Sequence, residues 1–414
     1  MKILFISRHI PYGRSTGIEV KIANLLGCMR EVAEVTCVHV VDDTRANRDS
    51  TKYFKENDYA VMCKTGDSSV ARYLRHLREH VVPGKDVREQ LHAIISRTDP
   101  DLIWLEFGYV CSFLPFLRRY GKPVYYGSHN SQWRLDYEIW RANGNPAYKM
   151  KMAPFILLYW LQERFVMGAA DRFFCISRHD IDYYRRFVPG EKLSLLPFFF
   201  DCRDFDNVVP LIGREYVCLV GSLRSYQNYA AAVYTLEKIW PHVHAALKNL
   251  TLYVIGELPA ADSPEYRQLM QKTQECPGVV LTGRVDSVIP YVKGALVNMV
   301  PLTLGSGVRT KIIESAACRT PVVSTSIGAE GLPFEDGRSI LIADEPLQFA
   351  DAVIALATDG ERRRSLAENA FEAYRRELSF EAGTAMLARI LAGPGEAADA
   401  PVGRDAGARK RSLT

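Results

Sequence analysis

A glycine loop followed by a helical pattern is the part of this sequence best suited to holding an anion. The loop is Gly305-Ser306-Gly307, and the helical pattern begins near Thr310. Glycines let a backbone approach a ligand closely, and the first turn of a helix presents free N–H groups and the positive end of the helix dipole. The sequence therefore predicts a diphosphate site at this loop and helix start.

Three charged residues accompany the loop. Lys311 and Glu314 are three residues apart and project from one face of the helix, and Arg309 precedes them. A cation there can neutralise a diphosphate leaving group, and a carboxylate can accept hydrogen bonds from ribose hydroxyls. The same residues allow a second interpretation, in which the glycines only shape a turn and Lys311 and Glu314 form a surface ion pair.

The longer stretch over residues 305–332, GSGVRTKIIESAACRTPVVSTSIGAEGL, resembles the donor-binding signature of the retaining GT-B glycosyltransferases usually grouped as family 4. Other stretches similar to the family's occur in the family's order over residues 1 to about 390, among them Pro11–Glu19, Gly127–Asn130 and Val220–Leu223. The resemblance implies an α/β protein of the GT-B type, with two doubly wound Rossmann-like domains facing across a cleft.

The same resemblance implies a glycosyltransferase. It would move a hexose-type sugar, with retention, from a nucleotide diphosphate donor to a glycan or polyprenyl-linked acceptor, and family habit suggests surface polysaccharide biosynthesis. The catalytic residues would be His129, Lys311 and Glu314. The donor-binding residues would be Gly17, Gly221, Arg224, Arg284, Gly305, Ser306, Gly307, Arg309, Lys311 and Glu314.

Some positions depart from the family pattern. Many relatives carry two glutamates separated by seven residues; Glu314 keeps the second, whereas Ser306 replaces the first, so sugar recognition must differ. The glycine pair of the N-terminal loop is reduced to Thr16-Gly17. The second domain usually supplies an arginine and a lysine after its first strand, but Arg224 is the nearby cation here. We expect Arg309 and Lys311 to take over the diphosphate contacts.

His129 follows a predicted strand, Val124–Gly127. In doubly wound sheets, ligands collect beyond the carboxyl ends of strands, so this position favours a cleft role over that of an ordinary hydrogen-bonded histidine. In the cleft it would bond to the donor sugar or stabilise charge that develops there.

Two Asp-x-Asp tripeptides could suggest a metal site. Asp180-Ile181-Asp182 belongs to a helix capping box and Asp204-Phe205-Asp206 to the linker between domains, so we expect no obligatory metal and no cofactor besides the donor substrate. Two rival functions stay open. A nucleotide-sugar epimerase on the same fold would use Glu19 or Glu106 as its acid or base, and a non-catalytic GT-B partner subunit would fit the serine at position 306.

Strand patterns alternate with helical patterns in both halves of the chain, which indicates two parallel sheets covered by helices. The strands expected in the first half are Ile3–Ser7, Val35–Val41, Leu102–Leu105, Val124–Gly127, Phe173–Ile176 and Ser194–Leu196, with helices near 18–30, 86–98, 132–168 and 179–187. Those expected in the second half are Val217–Val220, Leu250–Ile255, Val279–Leu281, Leu296–Val300, Pro321–Ser324 and Ile340–Ile342.

An irregular, charged stretch follows Pro197–Asp201, so we place the domain boundary near residue 205. The expected domains are 1–204, on the acceptor side, and 205–376, which binds the donor. A helix over about 377–392 is expected to pack back on the first domain, and residues 393–414, rich in Gly, Ala, Pro and charge, are expected to form a disordered tail.

Composition agrees with a globular protein, with 48% hydrophobic and 24% charged residues. The net charge of +4 is mild and we expect no nucleic-acid partner. The nine cysteines contain no CxxC pair, so we expect reduced, mostly buried thiols. The apolar stretch Met152–Ala170 carries Gln162, Glu163 and Arg164, which predicts a buried helix rather than a membrane span.

The expected location is the cytoplasm, because the apolar N-terminus is too short for a signal-peptide core. The basic segment Ala71–Arg78 leaves a second possibility open, a peripheral contact with anionic lipid at the inner face of the cytoplasmic membrane.

Overall fold

The computed structural model describes residues 1–11, 17–42, 44–63, 73, 77, 82–106, 112–129, 131–211, 213, 215–305 and 308–393. These residues form two domains, each built around one parallel β-sheet with helices on its faces.

The strands of the first sheet are mostly apolar, as parallel strands covered on both faces must be. They are β1 (Lys2–Ser7), β2 (Glu34–Asp42), β3 (Asp58–Cys63), β4 (Leu102–Glu106), β5 (Val124–Gly127), β6 (Arg172–Cys175) and β7 (Leu193–Leu195). All neighbours pair in parallel, in the order β3-β2-β1-β4-β5-β6-β7.

The second sheet repeats this plan with six strands. They are β8 (Tyr216–Val220), β9 (Thr251–Ile255), β10 (Val279–Gly283), β11 (Val297–Val300), β12 (Val322–Ser324) and β13 (Leu341–Ile342). The order is β10-β9-β8-β11-β12-β13, again parallel throughout.

Helices cover both sheets. In the first domain they are α1 (Gly17–Val32), α2 (Arg45–Ser50), α3 (Lys85–Thr98), α4 (Leu114–Leu117), α5 (Gln132–Ala142), α6 (Pro146–Leu161) and α7 (Arg178–Tyr184). After the linker come α8 (Tyr226–Tyr234), α9 (Trp240–Ala246), α10 (Pro264–Glu275), α11 (Ile289–Gly294), α12 (Thr310–Ala317), α13 (Ser326–Ala329), α14 (Pro346–Thr358), α15 (Gly360–Glu377) and α16 (Phe380–Ala392).

The strand order reverses beside the first strand of each sheet. β1 lies between β2 and β4, and β8 lies between β9 and β11. A crevice forms outside the carboxyl ends of the strands at such a switch point, and ligands of open α/β sheets bind there. The ends of β1 and β4 in one domain, and of β8 and β11 in the other, are therefore where functional side chains should gather.

The last helix returns to the first domain. Phe380 and Leu387 of α16 join a buried cluster with Ile22 and Leu26 of α1. The linker enters the second domain's core, where Phe200 packs beside helices α12 and α15 and its carbonyl accepts a hydrogen bond from Tyr374 Oη at 2.9 Å. The boundary at residue 205 falls between β7 and β8 and stays a prediction, and the tail from residue 394 lies outside the described residues.

Three expectations about local structure were wrong. Strand β3, Asp58–Cys63, was not predicted from the sequence. The single helix expected over 132–168 is divided, because Asn145 caps a new helix and its side chain accepts hydrogen bonds from the amides of residues 147 and 148. The helix expected to be buried over Met152–Ala170 exposes Leu157 and Phe165 to solvent.

Candidate functional site

The switch point of the second domain brings the predicted glycine loop and helix together. The loop after β11 includes Gly305, and α12 begins five residues later at Thr310. Helix α12 buries Ile312 and Ile313 against the domain core. This amphipathic pattern leaves Lys311 and Glu314 half-buried on the other face, as their spacing predicts.

Lys311 does not use Glu314 as its partner. Its Nζ donates to Asn228 Oδ1 at 2.9 Å. Between these two described residues there is no ion pair, so the surface pair that the sequence allowed is not formed. Burial and the nearby Arg309 charge lower the pKa of Lys311 to about 8, against the opposing effect of Glu314.

Arg309 is 9% exposed and lies against the glycine loop. Gly305 has a φ of +116°, a region that side chains rarely adopt. A Cβ at position 305 would lie 2.7 Å from Gln227 Cδ and 2.9 Å from Arg309 Nη2. Burial lowers the pKa of Arg309, whereas Glu330 acts to raise it. The loop therefore needs glycine to bring the Arg309 guanidinium close to its backbone.

Glu314 has the opposite perturbation. Burial raises the pKa of this carboxyl to about 7, although the Lys311 charge acts to lower it. Near neutral pH the group is therefore divided between its ionised and protonated forms. A ligand that donates hydrogen bonds to Glu314 would favour its ionised form. A fully exposed carboxylate would not have its pKa raised in this way.

Two residues of this site were missed by sequence reasoning. Gln227 and Asn228 lie in the first turn of α8, after the end of β8. Asn228 donates from Nδ2 to the Ser222 carbonyl at 3.0 Å and accepts from Lys311, so it fixes the cation relative to the β8 loop. Gly221 has a φ of +151°, and a Cβ there would lie 2.8 Å from Asn228 Cγ. The sequence signal that could have identified Gln227 and Asn228 is their position shortly after the first strand of the second domain.

The remaining predicted donor contacts are either exposed or outside the described residues. Arg224 is exposed and its Nε lies 3.3 Å from Glu257 Oε1. Arg284 is exposed and follows β10, two strands away from β8. Ser306 and Gly307 lie outside the described residues. The roles of all four stay predictions.

In the first domain, His129 belongs to a buried charged network. Its Nε2 lies 3.0 Å from Glu106 Oε1, at the end of β4. Lys21 of α1 donates from Nζ to the same oxygen at 2.7 Å and to the Ser128 carbonyl at 3.1 Å. Trp104 Nε1 donates to Glu106 Oε2 at 2.8 Å. We call Lys21, Trp104, Glu106 and His129 the Glu106 network.

The network sets the protonation state of its members. Burial alone would raise the pKa of Glu106, but the Lys21 and His129 contacts hold it at about 2. Burial and the Lys21 charge lower the pKa of His129 to about 4. His129 is therefore neutral at pH 7, and an ionised carboxylate near Nε2 favours the tautomer with the proton on that atom. That tautomer leaves Nδ1 as a hydrogen-bond acceptor.

A glycine makes room for this carboxylate. A Cβ at Gly127, the last residue of β5, would lie 2.8 Å from Glu106 Cδ and still closer to a carboxylate oxygen. Glycine is therefore needed at the start of the stretch Gly127–Asn130, which resembles the family's, because a side chain there would clash with Glu106. Sequence reasoning considered Glu106 only for an epimerase.

Helix α1 connects the network to the second domain. Gly17 is its first residue and is exposed, with open space around the position of a Cβ. Val20 packs against the cluster that contains Ile312 and Ile313 of α12. Helix α1 thus contacts the cluster to which α12 belongs, and Lys21 lies within the first two turns of α1.

A second contact crosses between the domains near Arg309. His179 Nε2 of α7 lies 3.7 Å from Glu330 Oε1, and Glu330 is the residue whose charge acts on Arg309. Gly331, with a φ of +77°, lets the chain pass Ser177, since a Cβ there would lie 2.9 Å from Ser177 Cβ.

The tripeptide Asp180-Ile181-Asp182 has a structural role, and the interpretation of Asp204-Phe205-Asp206 as linker stays a prediction. Ser177 Oγ accepts from the Asp180 amide at 3.1 Å and donates to Asp180 Oδ2 at 2.6 Å, which is the predicted helix cap. Within the described ranges, one group of side chains has metal-ligand spacing, namely Cys37, His39 and Asp58. The Arg30 guanidinium already lies within this group, since its Nη2 is 2.5 Å from Asp58 Oδ1 and 3.4 Å from Cys37 Sγ.

Comparison with known proteins finds a family model that matches most of the second domain. Residues 214–359 match the family model described as "Glycosyl transferases group 1". The match covers β8 to β13 and includes the glycine loop, Arg309, Lys311 and Glu314.

A curated relative is an "Uncharacterized 44.6 kDa protein in cps region" of Klebsiella pneumoniae. It is 23% identical over 219 residues, which is 52% of this chain. The matched part spans 55% of that protein, about half of its length.

Solved structures share the two-domain fold over nearly the whole chain. HepE of Anabaena in complex with UDP has a TM-score of 0.67 at 13% identity, covering 95% of this chain and 100% of its own. The same protein is also described in complex with UDP-glucose. Sucrose-phosphate synthase of Thermosynechococcus elongatus has a TM-score of 0.70 at 16% identity, covering 94% and 98%. At these identities the likeness shows the fold, two Rossmann-like domains.

Proposed function

We propose that this chain, in which residues 214–359 form a group 1 glycosyl transferase domain on a two-domain GT-B fold, transfers a hexose-type sugar from a nucleotide diphosphate donor. The acceptor would be a glycan or a polyprenyl-linked saccharide, and the anomeric configuration would be retained. The observation that carries the proposal is the pair of neighbouring cations, Arg309 and Lys311, at the start of α12.

The electrostatics of this pair favour a diphosphate. Both cations are partly withdrawn from water, and the Arg309 charge contributes to the lowered pKa of Lys311. A dianion between them would remove this repulsion and accept charge-assisted hydrogen bonds from both, in addition to the free amides of the first turn of α12. Gly305 allows the backbone to approach the phosphates closely.

Transfer would depend on stabilising the leaving group. When the bond from the anomeric carbon to the diphosphate oxygen breaks, negative charge develops on that oxygen, and cations already in place stabilise it without reorganisation. Arg309 and Lys311 would supply this charge without a metal ion. Glu314, in its ionised form, would accept hydrogen bonds from the ribose hydroxyls.

His129 would act on the sugar from the other side of the cleft. The Glu106 network holds the imidazole neutral, with Nδ1 as an acceptor for a sugar hydroxyl. Glu106 itself is unsuited to act as a nucleophile, because it is fully buried and bonded by Lys21 and Trp104. We therefore propose a front-face displacement, in which the acceptor hydroxyl attacks on the side from which the diphosphate leaves.

The same network argues against Glu106 as the acid or base of the rival epimerase, for which Glu19 is the other candidate. An acid or base that exchanges protons at neutral pH needs a pKa near the working pH. The pKa of Glu106 is about 2, so this carboxylate would stay ionised through the reaction. The non-catalytic partner subunit remains the other alternative, since Ser306 lies outside the described residues.

The relatives suggest where to look for substrates. HepE is described with UDP and UDP-glucose, and the Klebsiella relative lies in a cps region, so we propose a uridine diphosphate sugar and a role in surface polysaccharide biosynthesis. We also propose that the chain works in the cytoplasm, in peripheral contact with the inner face of the cytoplasmic membrane. None of the helices in the described ranges has the length and apolar character needed to cross a bilayer.

A donor screen followed by turnover tests the proposal. A cognate nucleotide sugar at a hundred times its dissociation constant should stabilise the protein by roughly 2.7 kcal/mol in thermal unfolding. The stabilising donor is then incubated with and without glycan and polyprenyl-linked acceptors. Acceptor-dependent release of the nucleoside diphosphate supports a transferase, sugar inversion without acceptor indicates an epimerase, and binding without turnover indicates a partner subunit.

A further inference from the structure

Helix α6 and the turn after it expose large apolar side chains along one face. Leu157 is 58% exposed, Phe165 67% and Met150 78%, and Trp160 and Leu161 are also exposed. Positions 150, 157, 161 and 165 recur at intervals of four or seven residues, so they follow one side of the helix, and a π-helical turn over Gln162–Val166 continues it. We call these five residues the α6 apolar face.

The other side of the helix is packed in the ordinary way. Phe155, Ile156 and Tyr159 are buried in the first domain. The helix is therefore held in place by its own core contacts, and the α6 apolar face is not needed to attach it. Contiguous exposed apolar surface of this kind marks an interaction site more often than it marks a solvated helix.

The exposed charged side chains within residues 146–166 are basic. Lys149, Lys151 and Arg164 belong to the same segment, and the Arg164 guanidinium lies 5.9 Å from the centre of the Trp160 ring. The one carboxylate in residues 146–166 is Glu163, which is 2% exposed. It is turned inward, where it accepts hydrogen bonds from Ser131 Oγ at 2.8 Å, the Trp133 amide at 3.0 Å and Tyr183 Oη at 2.9 Å.

Tyr73, a described residue of the basic segment Ala71–Arg78, contacts this helix. Tyr73 Oη donates to the Lys151 carbonyl at 3.0 Å, and the Tyr73 ring meets the Phe155 ring edge-on at 5.4 Å. The arginines of the segment lie outside the described residues.

We propose that the α6 apolar face is a docking surface for a bilayer that contains anionic phospholipid. Apolar and aromatic side chains would enter the interface between head groups and acyl chains, while the lysines and arginines meet lipid phosphates. A second copy of the chain fits less well, because a two-fold contact through this face would bring its cations against each other.

The docking surface lies close in structure to the cleft. Glu163 is bonded to Ser131, two residues after His129, so the face and the His129 loop are parts of one packed unit. This step rests on the proposed function: docking would bring a polyprenyl-linked acceptor, already in the membrane, to the acceptor side of the cleft.

Vesicle co-sedimentation of the full chain tests the surface. The probes are vesicles of phosphatidylcholine alone and of phosphatidylcholine with phosphatidylglycerol. The chain should bind the second, and binding should weaken as salt rises. Replacing Leu157→Gln and Phe165→Gln together should lower the partition coefficient at least tenfold. Lys151→Gln with Arg164→Gln should remove most of the preference for anionic lipid.

Matched controls lie on the second domain. Leu347 is 55% exposed and Tyr226 is 70% exposed. Replacing both with Gln should leave vesicle binding unchanged. The proposal would be overturned if the Leu157/Phe165 variant bound vesicles as well as the native chain does, or if the native chain bound neither kind of vesicle. A dimer of the chain, seen by sedimentation velocity, that the same variant dissociates would also overturn it. Donor-induced thermal stabilisation, measured without vesicles in every variant, separates failure of this surface from failure of the proposed function.

Discussion

Removing the charge of Glu106 should destabilise the protein strongly. Glu106→Gln keeps the shape of the side chain but leaves the Lys21 ammonium buried, 2.7 Å from a neutral oxygen or amide. The pKa of Glu106, about 2 against an ordinary 4.5, corresponds to roughly 3 kcal/mol of stabilisation at pH 7. Breaking a buried ion pair by removing one partner gives a similar figure, roughly 3–5 kcal/mol.

A double-mutant cycle makes this prediction specific to the pair. Lys21→Met should also destabilise, because it leaves a buried carboxylate, but Lys21→Met with Glu106→Gln should cost less than the sum of the two single changes. The assay is urea denaturation at pH 7 followed by tryptophan fluorescence, to which Trp104 beside Glu106 contributes. Glu335→Gln, at the exposed pair with Arg338, is the control and should change stability by less than about 1 kcal/mol.

The pH dependence gives an independent check. The folded pKa of Glu106 is lowered, so its contribution is present above the unfolded pKa of 4.5 and is lost as the pH falls towards 2. The difference between the native chain and Glu106→Gln should therefore shrink below pH 4.5. Additive single changes, or a Glu106→Gln chain as stable as the native one at pH 7, would refute the reasoning.

Three further predictions concern the donor side. Glu314→Gln should stabilise the free protein at pH 8 by up to about 3 kcal/mol. Burial raises the pKa of Glu314 in the folded protein to about 7, so the stability of the native chain falls as the pH rises from 4.5 through that value. Equal unfolding curves for the two proteins at pH 8 would contradict this prediction. The same variant should lose the rise in donor affinity from pH 6 to pH 8 that calorimetry should show for the native chain, because ribose hydroxyls donate stronger hydrogen bonds to the ionised carboxylate than to a neutral group. Gly305→Ala should weaken donor binding at least tenfold, because a Cβ would contact Gln227 and Arg309, whereas Gly337→Ala, also at positive φ but in open space, should leave donor affinity unchanged.

The order of the elements was well predicted because it depends on local patterns. Apolar runs such as Val217–Val220 and Leu102–Leu105 form strands β8 and β4 where expected, and the glycine loop before Thr310 leads into α12. Strand β3 was missed because Asp58–Cys63 carries weak local signals and is stabilised by pairing with β2, a non-local contact.

The site was less predictable than the fold. The spacing of Lys311 and Glu314 gave their shared face, but the partner of Lys311 is Asn228, which lies 83 residues earlier in the chain. The Glu106 network joins α1, β4 and the loop after β5, and no sequence spacing relates Lys21 to Glu106. The outward face of α6 was also misjudged, because the apolar stretch Met152–Ala170 was interpreted as a buried helix, whereas Leu157 and Phe165 are exposed.

The most direct test of the proposed site is the affinity of the cognate nucleotide diphosphate for a chain without its two cations. Arg309→Ala with Lys311→Ala should raise the dissociation constant measured by isothermal titration calorimetry about a hundredfold or more, because each charge-assisted hydrogen bond contributes about 1.5–3 kcal/mol. Lys238→Ala with Arg362→Ala removes the same charge from exposed positions of the second domain and should leave the affinity unchanged. Unchanged affinity in the Arg309/Lys311 variant would contradict the proposal that α12 and its cations hold the donor.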